Sequence, residues 1–181
     1  MKMRPLALVA GIALSAVAIS PKAQAQTANV DFSGSIGPAC MINGTPTNGT
    51  LALFDPRTLL ADATTGTPGN INVTCTGGTT FTITSVANNG TVLNSGTYAN
   101  NIAGTFAEIR DGATNTPVAN GDVSPNGFAA LVTPVGTAGP LQAGPITNKD
   151  YKVNLSVFNL AGTPLTPGFY RVRVGVLLTP Q

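Results

Sequence analysis

The chain has 181 residues, 43% of them hydrophobic and 9% charged, with no histidine, no tryptophan and two cysteines. Without histidine, neither a Ser-His-Asp nor a Cys-His catalytic centre can be assembled, and the spacing of the cysteines matches no zinc pattern. The formal net charge of +2 overstates the basic character. Lys2, Arg4 and Lys22 stand in the first 25 positions and no basic run follows them, so neither nucleic acid nor a lipid surface is an implied partner.

Those first 25 positions read as a secretory signal peptide. Lys2 and Arg4 give the charged start, 6–19 is an unbroken run of small and apolar residues, and "AQA" at 23–25 offers a small-residue cleavage site. The run is shorter than the about 20 apolar residues of a membrane span, and no later segment is long enough for one. The expected mature chain is 26–181, a length suited to one domain. Export puts the isolated pair Cys40 and Cys75 in an oxidising compartment, where one disulfide is expected. Closing the loop between them would contribute roughly 4 kcal/mol on the chain-entropy view.

From there the sequence alternates short β-type runs with turn signals. The predicted strands are 29–36, 51–54, 70–75, 80–86, 105–110, 128–132, 151–160 and 169–178. Between them stand "NGTPTNG", "TGTPGN", "ANNG", "RDG", "SPNG" and "AGTP". No segment after the signal sustains a 3.6-residue apolar period, so the expected class is all-β, a sandwich of two sheets. The stretch 115–149, rich in Gly and Pro, reads as loop as easily as strand. In the last run, Tyr170, Val172, Val174, Val176 and Leu178 fall on every second position, the mark of a half-buried strand. A strand so strongly patterned is expected to have a neighbour on each side, and nothing after it in sequence supplies the second.

Six carboxylates, Asp55, Asp62, Glu108, Asp111, Asp122 and Asp150, could in principle provide an acid and base pair for glycoside hydrolysis. The simpler reading puts Asp55, Asp111 and Asp150 at strand ends or turns, where Asp accepts local backbone amides. No calcium loop or phosphate loop is present. The expectation is a protein that is not an enzyme and needs no cofactor or metal. A monomeric secreted sandwich that binds carbohydrate is the alternative class, although three tyrosines and no tryptophan offer few rings for stacking on sugars.

"VDFSGSIGPAC" (30–40), "GNINVTC" (69–75), "YKVNLSVFN" (151–159) and "PGFYRVRVGVLL" (167–178) follow one another in an order and spacing that resembles chaperone-usher pilins, in particular the archaic branch that includes spore coat protein U domains. The resemblance covers nearly all of 30–178. It implies an immunoglobulin-like sandwich over 29–181 that lacks its last strand. A periplasmic chaperone would fill the gap first, and at the outer-membrane usher the N-terminal segment of a neighbouring copy or related pilin would replace it. It also implies passage through the periplasm to the cell surface, in a pilus or coat fibre that supports adhesion or biofilm formation. In this sequence the donor would be 26–33, where Ala28, Val30 and Phe32 alternate with Asn29, Asp31 and Ser33. The acceptor edge would be lined by Tyr170, Val172, Val174, Val176 and Leu178, since an added strand drops alternate side chains into an exposed core.

Overall fold

A computed structural model describes residues 32–88, 104–123, 135–159 and 163–181. The chain divides into two units, Met1–Gly34 and Ser35–Gln181. Of the first, only 32–34 are described, and they form no strand. The described strands all lie in the second unit: β1 Cys40–Ile42, β2 Ala52–Asp55, β3 Thr58–Ala61, β4 Gly69–Cys75, β5 Thr79–Asn88, β6 Gly104–Asp111, β7 Pro117–Val123, β8 Ile146–Phe158 and β9 Val172–Pro180. No helix occurs among the described residues, and in particular none long and apolar enough to cross a membrane.

The protein is all-β, and every ladder among the described residues is antiparallel. Seven strands form one sheet, and β5 with β9 forms a second. The long strand β8 organises the first sheet. One edge pairs with β4 along its first half and with β3 along its second, and the opposite edge pairs with β6. β1 extends the sheet beyond β4, β2 beyond β3, and β7 beyond β6.

Alternation decides which side chains go inside. Ile71, Val73 and Cys75 of β4, Ala107 and Ile109 of β6, and Tyr151, Leu155 and Val157 of β8 meet Phe81, Ile83 and Val86 of β5 in one core. The rings of Phe81 and Tyr151 pack with centroids 4.4 Å apart at 47°. Burying Phe81, Ile83, Val73, Ile109 and Val157 completely contributes about 1.5–3 kcal/mol each. The outward face of the large sheet is polar. There Asn70 and Asn72 donate side-chain hydrogen bonds to Asp150, and Asn43 donates to Asn72 and Thr74.

The strands differ from expectation in five places. The described part of the predicted strand 29–36 is irregular, and the strand bearing Cys40 begins at that residue. β3 was not expected, nor was β7, which forms inside the stretch read as loop or strand. β8 starts five residues early, at Ile146, and β9 starts three late, at Val172. The predicted strand 128–132 lies outside the described residues. Asp150 sits within β8 and is held by the two asparagines, whereas Asp55 and Asp111 do end strands and accept turn amides.

Candidate functional site

β5 and β9 are partners, yet their surroundings differ. On its far side β5 is joined by the segment 136–142, through bridges Thr79 to Gln142 and Thr82 to Ala138. Gly136 N–H donates to Ile83 O at 2.7 Å, and Gly139 N–H to Phe81 O at 2.8 Å. With neighbours on both sides, Phe81 and Ile83 reach 0% exposure. Among the described residues β9 pairs with β5 alone. β1, whose ladder is with β4 alone, approaches β9 without pairing to it. β1 and β9 thus come side by side over a short stretch, a seam where no described residue supplies a ladder.

The residues named in the sequence as an acceptor edge lie on β9 or just before it, packed against the core. Leu178 stands opposite Phe81, Val176 opposite Ile83 and Val174 opposite Val86, and Val172 opposite Asn88. Tyr170, just before β9, continues the row. All five pack against the core and all five remain partly exposed, although Val174, Val176 and Leu178 stand opposite β5 residues that are buried. What separates the two rows is that β5 has a described neighbour on each side and β9 on one. A bulge between Ile83 and Ser85 keeps both apolar rows inward along the whole ladder. Gly175 sits against that bulge, where a Cβ would lie 2.5 Å from Ser85 Oγ and 2.8 Å from Thr84 Oγ1.

An apolar cleft of about 510 Å³ opens where the chain enters β9. Leu51, Leu53 and Leu59 of the β2–β3 region form one wall, and Leu165, Phe169 and Tyr170 the other. The Tyr170 hydroxyl donates to Thr166 O and fixes the approach to the strand. Phe169 and Leu53 stay mostly exposed, at 81% and 65%. The cleft was not anticipated, because it depends on which strand lies beside 163–170, and no local pattern encodes that.

Cys40 and Cys75 are joined within the chain, as expected. They face each other directly across the β1–β4 ladder, so the bond ties the short strand on one side of the seam to the core strand β4. Of the expected donor residues, Ala28 and Val30 lie outside the described residues, and Phe32 is exposed.

The carboxylates have separate surroundings. Asp111 receives Lys149 Nζ at 2.5 Å and the amides of Ala113 and Thr114. Lys149 holds its carboxyl at about 2, with the two amides adding to the effect and burial opposing it. Asp111 in turn raises the Lys149 ammonium above its ordinary value, and that ammonium lies 5.5 Å from the centre of the Tyr151 ring. On the outward face Glu108 pairs with Arg110. Asp122 has an enclosed Oδ1 without a hydrogen-bond partner, and burial pushes its carboxyl up. Asp62 accepts the amides of Thr64 and Thr65 in its own turn. Asp55, Asp62 and Asp111 are thus engaged as turn acceptors, Glu108 in an ion pair and Asp150 by amide side chains. Such an arrangement stabilises turns and strands. The β9 row and the cleft, in contrast, offer apolar surface, and the second edge of β9 has no ladder among the described residues.

No protein-family model matches the chain, and no curated protein matches it.

Proposed function

We propose that this protein is a structural subunit of a surface pilus or coat fibre, built on an immunoglobulin-like sandwich that lacks its last strand and polymerised by donor-strand exchange. The single observation that carries the reading is the condition of β9. Its inward row Val172, Val174, Val176 and Leu178 is half-buried, and its second edge has no ladder among the described residues. An extended segment laid there satisfies backbone donors and acceptors and covers the row in one step. The resemblance to archaic chaperone-usher pilins in "GNINVTC" and "PGFYRVRVGVLL" supports the same reading. Under it the chain passes through the periplasm with a chaperone on the seam, reaches an outer-membrane usher, and ends at the cell surface, where the fibre serves adhesion or biofilm formation.

The donor is the segment 26–33 of another copy or of a related subunit. Ala28, Val30 and Phe32 occupy one face of that segment when it is extended, and Asp31 the other. Burying Val30 in a neighbour contributes about 1.5–3 kcal/mol, and an aspartate there costs at least as much. Exporting the Val30→Asp variant beside the parent tests the reading. Equal monomer yield with loss of the multimer ladder is expected. An unchanged ladder overturns the donor role, and loss of the monomer itself would assign Val30 to the subunit's own core.

A further inference from the structure

We draw no further inference here: the strongest candidate, the apolar cleft between the β2–β3 region and the segment 163–170 that leads into β9, opens beside the exposed Leu53 and Phe169, and nothing in the structure shows what covers it.

Discussion

At Asp111 a single carboxylate closes the β6–β7 turn and anchors β8. Its Oδ1 accepts the amides of Ala113 and Thr114, while Oδ2 takes the Lys149 ammonium. A folded-state value of about 2 against about 3.9 in an unfolded chain means that its contribution is complete above pH ~4. It disappears as the pH falls from about 4 through 2. Because the Lys149 side chain is 39% exposed, solvent screens the pair and the contribution is about 1–2 kcal/mol. Asp122 acts in the opposite sense: its carboxyl is raised by burial, so protonating it relieves a cost as the pH falls through the raised value. Asp111→Asn keeps an oxygen for the turn amides and removes the charge. Urea denaturation should show the variant about 1–2 kcal/mol less stable at pH 7, with the deficit shrinking to roughly a third of that at pH 2.5. An equal deficit at both values would mean that packing, and not charge, accounts for the loss.

Among the elements, the β5–β9 ribbon has a close approach at one glycine. A methyl at position 175 would meet Ser85 Oγ and Thr84 Oγ1 inside contact distance; both belong to exposed side chains that can turn aside, so the cost is about 1 kcal/mol, the low end for overpacking. Gly175→Ala should lower the melting temperature, and Ser85→Ala in the same chain should restore part of the loss. Strictly additive effects of the two changes would show that the bulge is not where the strain arises. The ribbon also shows what the sequence can disclose. β4, β5 and β9 were legible because each turns one apolar row to the core, and the alternation survives in "INVTC" and "YRVRVGV". β3, with "TLLA", is four residues long and partly buried on both faces, so it carries no alternation. β7 reads "PVANGDV", with a proline and an Asn-Gly pair that signal a turn. It is a strand because β6 offers it a ladder, and Gly121 is admitted because its missing side chain leaves room for Ile83, whose Cβ stands 3.2 Å from where a Cβ would be. The apolar row of the seam could be read from residues 170–178. Its half-burial could not, since that depends on strands distant in sequence and on which of them stand next to β9.

At the scale of the whole molecule, the described residues form one sheet of seven strands and a second of two, and among them the core is closed well on the β5 side and less well along β9. Apolar surface beside unladdered backbone favours association. The purified chain, without a partner, is expected to aggregate and to melt over a broad range. A sharp, reversible transition of a monomer would instead favour a self-contained sandwich of the secreted binding class. Replacing both Cys40 and Cys75 by serine should lower stability by roughly 2–4 kcal/mol in chemical denaturation, because β1 is three residues long and its ladder with β4 is correspondingly short.

The bond between Cys40 and Cys75 also determines how the second unit carries load. A pull between Ser35 and Gln181 enters at Cys40, crosses directly to Cys75, and reaches Thr79, which stands opposite Pro180 at the end of β9. The stretch between the cysteines, which holds β2, β3 and most of β4, lies outside that path. Stretching single molecules with and without reductant measures the difference: the reduced chain should extend further by about 12 nm, the length of the 35 positions spanned by the bond at about 3.5 Å each. With the bond closed, the polypeptide under tension is shorter than the polypeptide that is folded.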